Sequence, residues 1–276
     1  MFRIDAHQHF WNYDHLEHSW MTDEMKLVKR DFLPNDLKPL LLINNIDGTV
    51  LVQVTQSREE TINLLKIAES NDFVKGVIGW IDLRNKDIRS NLQKFKKFQK
   101  LKGFRHILQT EEPSFMLQPD FLRGIAALME YDYTYDILIY PKHLTAAINL
   151  VKEFPSLRFV VDHIAKPNIK DNEMVEWKTG IGDLALNPNV YCKISGMVTE
   201  ADWKNWKQDD FTFYIDTVIK AFGIKRVMFG SDWPMCLVSG SYQDVLNIVS
   251  NYFSSFSADD QKLFFGDNAI NFYQLK

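Results

Sequence analysis

Only two cysteines, Cys192 and Cys236, occur in 276 residues, too few for a disulfide framework and in keeping with a reducing compartment. Neither sign of charge is in excess. The 32 Lys and Arg stand against 36 Asp and Glu, and the net −4 gives no electrostatic reason to expect nucleic acid or an anionic membrane as partner. No apolar run is long enough to span a bilayer, since Leu40-Leu41-Leu42-Ile43 is far too short. No basic segment followed by an apolar stretch opens the chain, so no secretory signal is expected and a cytoplasmic location is. No G-x-G-x-x-G follows the first strand-like run, which removes support for a dinucleotide site. What is present is ordinary globular composition, 46% hydrophobic and 25% charged. The chain is long enough to bury a large core as one domain over residues 1–276.

Phe2-Arg3-Ile4-Asp5-Ala6 reads as a short strand. His7 and His9 follow at the i, i+2 spacing that turns two side chains to one side of a strand. Residues 11–29, with Tyr13, His15, His18 and Trp20, have no clean period and predict a long loop over one end of the fold. Pro34 then suits the start of a helix, and an almost wholly apolar run over 49–54 predicts a strand buried on both faces. Ser57-Arg58-Glu59-Glu60 reads as a capping box opening a helix to about Ser70, with Ile62, Leu65 and Ala68 on its buried stripe. The pattern repeats, with further strands over 74–81, 103–108, 134–140, 157–163, 190–194 and 226–230. Between them the periodicity predicts helices over 90–102 (Leu92, Phe95, Phe98 and Leu101 inward), 119–130, 141–154, 173–186 and a helical region reaching Phe222. Stretches over 242–253 and 257–273 close the chain. Strands alternating with helices without a linker predict an α/β fold, a single (β/α)8 TIM-type barrel with extra C-terminal helices; a doubly wound open sheet is the rival.

In such a barrel function lies at the C-terminal ends of the strands. Those ends carry His7 and His9, Gln53, Trp80, Tyr140, Asp162-His163, Lys193-Ile194-Ser195 and Ser231-Asp232-Trp233. His7, His9, His163 and Asp232 make the donor inventory of a mononuclear metal site. Any one strand-end histidine can simply cap a turn. Four donors at matching ends of one barrel call for a shared purpose.

The segments IDAHQHFW, GFRHILQ, VVDHIAKP, KISG and MFGSDWPMC, which run from residue 4 to residue 236, resemble the amidohydrolase superfamily. They are most similar to its lactonase branch, which includes L-fuconolactonase-like, L-rhamnono-lactonase-like and 2-pyrone-4,6-dicarboxylate lactonase enzymes. The resemblance implies a barrel, hydrolysis of a cyclic ester and a site built on His7, His9, His163 and Asp232. Binuclear members of the superfamily carry a lysine on strand four and a histidine on strand five. Here GFRHILQ has no lysine, and TYDILIY has no histidine. His143, three residues past Tyr140, reads as a supporting or surface residue. At most one divalent metal is therefore expected, zinc first among candidates, and activity without metal stays open.

Opening a lactone requires an activated water, a polarised carbonyl and a proton for the departing alkoxide. Asp232 is expected as general base, with His163 and His9 as its catalytic neighbours. Trp11, Gln53, Trp80, Arg105, His106, Tyr140, Lys193 and Trp233 are the candidate substrate contacts. Dicarboxylate recognition wants several converging arginines. Strand ends offer only Arg105, with Lys166 and Lys193 as helpers. The aromatic residues Trp11, Trp80, Tyr140 and Trp233 serve as flat platforms instead, although each alone also fits packing at the barrel mouth. Together they favour an uncharged, polyhydroxylated sugar-acid lactone as the small-molecule partner of a monomer or small homo-oligomer. Arg105 and His106 alternate, so only one can face the barrel interior. Two other functions fit less well: a metal-dependent decarboxylase of an aromatic or unsaturated acid, and a non-catalytic barrel that binds a sugar acid.

Overall fold

A computed structural model describes residues 1–276. The eight strands β1 (Ile4–Gln8), β2 (Gly48–Val52), β3 (Val74–Gly79), β4 (Leu101–His106), β5 (Thr134–Ile137), β6 (Phe159–Val161), β7 (Val190–Ile194) and β8 (Val227–Phe229) pair in parallel and in chain order. The ring closes above β8, where Asp232 N donates to His7 O at 2.8 Å and His9 N donates to Trp233 O at 2.7 Å. Helices α1 (Pro34–Ile43), α2 (Arg58–Glu69), α3 (Ile88–Phe95), α4 (Pro119–Glu130), α5 (Leu144–Glu153), α6 (Val175–Ala185) and α7 (Asp209–Phe222) lie between consecutive strands. Three more, α8 (Tyr242–Phe253), α9 (Ala258–Lys262) and α10 (Asn268–Tyr273), follow β8. The architecture is a (β/α)8 barrel with added C-terminal helices. No helix is long and apolar enough to cross a membrane.

Outward-facing strand residues such as Leu51, Phe104, Ile137 and Phe159 pack on the helices in one continuous apolar layer. The barrel interior changes with height. Its lower end is apolar, where Ile4, Val50, Val160 and Met228 meet Phe272 and Tyr273 of α10. Above them Arg105, Asp136, Asp162 and Lys193 form a buried charged layer, at a height where such barrels usually stack Val, Ile and Leu. The Tyr273 hydroxyl donates up into this layer, to Asp136 Oδ2, at 2.8 Å. A register shift between Asp5 and Gln8 brings His7 onto the interior side directly after Ala6.

Several elements end earlier than their periodicity predicts. The apolar spacing of α3 runs on to Leu101, yet the helix stops at Phe95 because Leu101 is needed as the first residue of β4, paired with Val77. Strand pairing overrides the helical period there. β5 stops at Ile137, and Tyr140 instead precedes a 3-10 turn, Pro141–His143, in which its N–H donates to His143 Nδ1. The region before α7 is a loop with a short 3-10 turn, Val198–Glu200, rather than one long helix, because Asp202 turns back to accept from Lys204 N and Asn205 Nδ2. The stretch over 257–273 is broken by a π-turn, Leu263–Asp267, where Gly266 packs against the Phe2 carbonyl with no room for a Cβ. The capping box at α2 is half made. Ser57 Oγ accepts from Glu59 N and Glu60 N, but the Glu60 carboxylate turns away to accept from Val54 N and Thr55 N.

Candidate active site

His7 Nε2 and His9 Nε2 lie 3.2 Å apart, and the rings turn together toward the loop beyond β8. There Asp232, at φ +57°, points its carboxylate back over β1. Asp232 Oδ1 stands 3.4 Å from His9 Nε2, 3.9 Å from His7 Nε2 and 3.8 Å from His163 Nε2. All four side chains are buried. The loop that presents Asp232 is anchored from behind. Asp5 accepts from Ser231 N at 2.8 Å and from the Tyr242 hydroxyl at 3.0 Å.

His163 reaches the cluster through an unusual turn. Residues His163, Ile164, Ala165 and Lys166 are all left-handed, with φ between 48° and 61°. Left-handed backbone costs an L-residue roughly 1–2 kcal/mol each, so the turn persists only because its surroundings fix it. Trp177 Nε1 donates to Ile164 O at 2.7 Å, and His163 Nδ1 meets Ser195 Oγ at 2.9 Å. Gly196, at φ +60°, leaves the space for the imidazole: a Cβ there would stand 2.5 Å from His163 Nδ1. Gly196→Ala is therefore expected to cost roughly 1–3 kcal/mol and to displace His163. Thermal unfolding and zinc titration check this; a variant matching the parent in both would refute it.

The donor set fits one metal ion. Bonds of about 2.0–2.2 Å in a tetrahedral arrangement hold ligand atoms about 3.4 Å apart. His7 Nε2 and His9 Nε2 stand 3.2 Å apart and 3.9 and 3.4 Å from Asp232 Oδ1, close to that spacing, and His163 Nε2 comes within 3.8 Å of the same oxygen. The remote nitrogens are also engaged, as ligating histidines require. His9 Nδ1 donates to the Val52 carbonyl at 2.8 Å, which frees Nε2 as a lone-pair donor. His7 Nδ1 lies 3.3 Å from Asp162 Oδ1 and 3.1 Å from Lys193 Nζ. Burial drives the His7 pKa well below its ordinary value and that of His163 down to about 4, so both rings are neutral near pH 7. Burial alone would raise Asp232, but positive charge on the neighbouring histidines at low pH more than reverses it, so the carboxylate is already ionised where the rings become neutral.

A second set of donors, His7, Asp162 and His163, is already committed. Asp162 Oδ2 accepts from Arg105 Nη1 at 3.0 Å, and Asp162 Oδ1 lies 3.0 Å from Lys193 Nζ. Lys193 Nζ also donates to Asp136 Oδ2 at 2.6 Å. Two cations and two carboxylates thus fill the space beneath His7.

Above the cluster opens a cavity of about 470 Å³ whose wall includes His9, Trp11, Arg105, Tyr140 and Asp232. His7 and His163 lie beneath them. Arg105 is the strand-four residue that faces inward, while His106 faces the helices. Five expected substrate contacts, Lys193, Gln53, Trp80, His106 and Trp233, sit elsewhere. Lys193 is wholly buried in the charged layer under His7. Gln53 is buried too, and its Oε1 accepts from Arg105 Nη2 at 3.0 Å, so it positions the arginine. Trp80 and His106 point away from the interior: Trp80 Nε1 donates to His106 Nδ1 at 3.3 Å, and the His106 ring stacks on Phe115 with centroids 4.9 Å apart. Trp233 follows the inward Asp232 and so points the other way, edge-on to Phe32 with centroids 5.2 Å apart. His143 is fully buried, and its Nε2 donates to Glu111 O at 2.9 Å, supporting the loop beyond β4.

Sequence reasoning passed over Asp136, Asp5 and the cavity residues Glu200 and Trp203, and it named Asp162 only as a strand-end residue and Lys166 only as a helper to Arg105. Asp136 carried a signal, as a lone acid inside the apolar run TYDILIY. Glu200 and Trp203 lie in the irregular loop beyond β7 and carried none.

A cluster of this kind at the floor of a barrel-mouth cavity has the placement of an active site in a (β/α)8 enzyme. Residues 4–275 match the amidohydrolase family, and the chain belongs to it. Over 99% of its length it is 35% identical to an L-fucono-1,5-lactonase of Burkholderia multivorans, covering 96% of that protein. It is 34% identical to an L-fucono-1,5-lactonase of Burkholderia ambifaria, over 99% of this chain and 96% of the relative. A crystal structure of an amidohydrolase from Burkholderia multivorans with bound zinc shares the fold at a TM-score of 0.97 and 35% identity, covering 100% of each chain.

Proposed function

We propose that the protein hydrolyses the cyclic ester of a sugar-acid lactone, with Asp232 as general base. The observation that carries this reading is the convergence of three imidazole nitrogens on one carboxylate oxygen at the floor of the cavity. Asp232 Oδ1 faces the rings, and its other oxygen is available to a water above. Asp232 takes a proton from that water as its oxygen attacks the lactone carbonyl carbon. Collapse of the tetrahedral adduct breaks the ring C–O bond, and the proton passes from Asp232 to the departing alkoxide, giving a hydroxy acid. A divalent ion held by His7, His9, His163 and Asp232, zinc as in the crystallised relative, would acidify the water and polarise the carbonyl. The substrate is uncharged, because the cavity has no free cation. Arg105 is tied to Asp162 and Gln53, and Lys166 pairs with Glu200 at 3.0 Å. A decarboxylase of aromatic acids would want a cationic clamp on its carboxylate, and none is left over.

The test is hydrolysis of L-fucono-, L-rhamnono- and D-galactono-lactone before and after chelation. Turnover of at least one lactone is expected, lost on chelation and restored by Zn²⁺. Silence across the panel overturns the reading. Metal analysis of the purified protein is expected to find one divalent ion per chain, since Arg105 and Lys193 fill the neighbouring space; two tightly bound equivalents would contradict this.

A further inference from the structure

The left-handed turn that delivers His163 also delivers Lys166. At three residues per turn, positions 163 and 166 fall on the same side, so the lysine projects into the cavity above the histidine. Its ammonium lies 3.0 Å from Glu200 Oε1 and 5.3 Å from the centre of the Tyr140 ring. The lysine side chain is 15% exposed and that of Glu200 17%, so both are held rather than solvated. Glu200 is fixed from its own loop, where Lys170 N donates to Glu200 O and the Thr199 hydroxyl, which donates to Gly196 O at 2.7 Å, lies 3.3 Å from the same Oε1.

The pair has hydrogen-bonding capacity left over. An ammonium has three N–H donors, and one is directed at Glu200. Both neighbours of Glu200 lie at Oε1, which leaves Oε2 without a protein partner. A neutral ion pair repels no uncharged ligand and grips no carboxylate, but it offers donors and an acceptor side by side. Two adjacent hydroxyls on a sugar ring present the matching pattern, each able to donate and accept. Tyr140, which is 36% exposed, supplies a flat face beside them for the ring's C–H side.

Resting on the lactonase reading above, we propose that Lys166 and Glu200 form a subsite that recognises vicinal hydroxyls of the lactone ring. Because Lys166 shares its turn with His163, the distance from those hydroxyls to the reacting carbonyl is set by one rigid element. The protein thereby favours lactones whose hydroxyls stand at the correct remove from the carbonyl.

The experiment compares kcat and KM for a hydroxylated 1,5-sugar lactone with those for δ-valerolactone, which has the ring and no hydroxyls. The proteins are the parent, Lys166→Met, Lys166→Arg and Glu200→Gln. The ratio of the two kcat/KM values is expected to fall roughly 10- to 100-fold in Lys166→Met and Glu200→Gln, chiefly through KM for the sugar lactone. Lys166→Arg, which keeps the charge and donors, is expected to recover part of the ratio. Competitive inhibition by a hydroxylated lactam and by δ-valerolactam gives the same ratio without turnover and serves if δ-valerolactone reacts too slowly. Equal losses on both ligands, or none on either, would overturn the subsite. A parent protein that opens neither lactone and is inhibited by the sugar lactam would instead fail the lactonase reading alone.

Discussion

Asp232→Asn is expected to lower kcat/KM for lactone opening about a thousandfold, the scale of a lost general base. The melting temperature should move little. Asparagine has the same shape, and the backbone bonds that fix position 232, from its N–H to His7 O and from Cys236 N to its carbonyl, do not involve the side chain. What goes is the only group in the cluster that is both ionised and directed at the cavity floor. The substitution also removes a charged donor from the metal set, so zinc content must be measured alongside rate. A variant saturated with zinc and still slow by this factor assigns the loss to proton transfer. A variant within about tenfold of the parent would end the general-base assignment.

Lys193→Met is the second large effect, and it falls on stability. Methionine fills the volume of the lysine stem but leaves Asp136 and Asp162 facing each other with one cation, Arg105, where there were two. Breaking a buried ion pair from one side costs roughly 3–5 kcal/mol. The loss has a defined pH dependence. Burial, partly countered by Lys193, holds the Asp136 carboxyl above the usual carboxylate range even in the parent. A carboxyl raised in the folded state binds its proton more tightly there than in the unfolded chain, so its charge costs stability as pH rises. Without Lys193 that upward displacement grows, and the variant should be closer to the parent at pH 5.5 than at pH 8 in urea unfolding. Asp136→Asn added to Lys193→Met is expected to recover part of the deficit. A single variant within about 1 kcal/mol of the parent at both pH values would show that the charged layer is not held as described.

The barrel was legible because its strands are short apolar runs at regular spacing, a pattern that local chemistry largely dictates. His7, His9, His163 and Asp232 were legible as a group because polar residues at strand ends stand out against those runs. The phase of each side chain was less accessible. Whether Arg105 or His106 faces inward depends on the register of β4 against its neighbours, and an aromatic such as Trp80 or Trp233 fits the cavity wall and the helix layer equally well by type. Lys193 looked like a substrate contact because a lone strand residue gives no sign of the two aspartates that enclose it. Lys166 and Glu200 meet only through four successive left-handed residues, which no propensity favours.

The bond from the Tyr273 hydroxyl to Asp136 has a consequence for how the protein is made. Synthesis proceeds from β1 onward, so all eight strands leave the ribosome before α10 does. Until then the underside of the barrel lacks Phe272 and Tyr273, and Asp136 lacks one of its two partners. Water can reach the charged layer from below during that interval. The underside of the barrel beneath the His7–Asp232 cluster therefore gains its cover only after translation has passed the last strand, which makes sealing of the floor a later step than synthesis of the ring it seals.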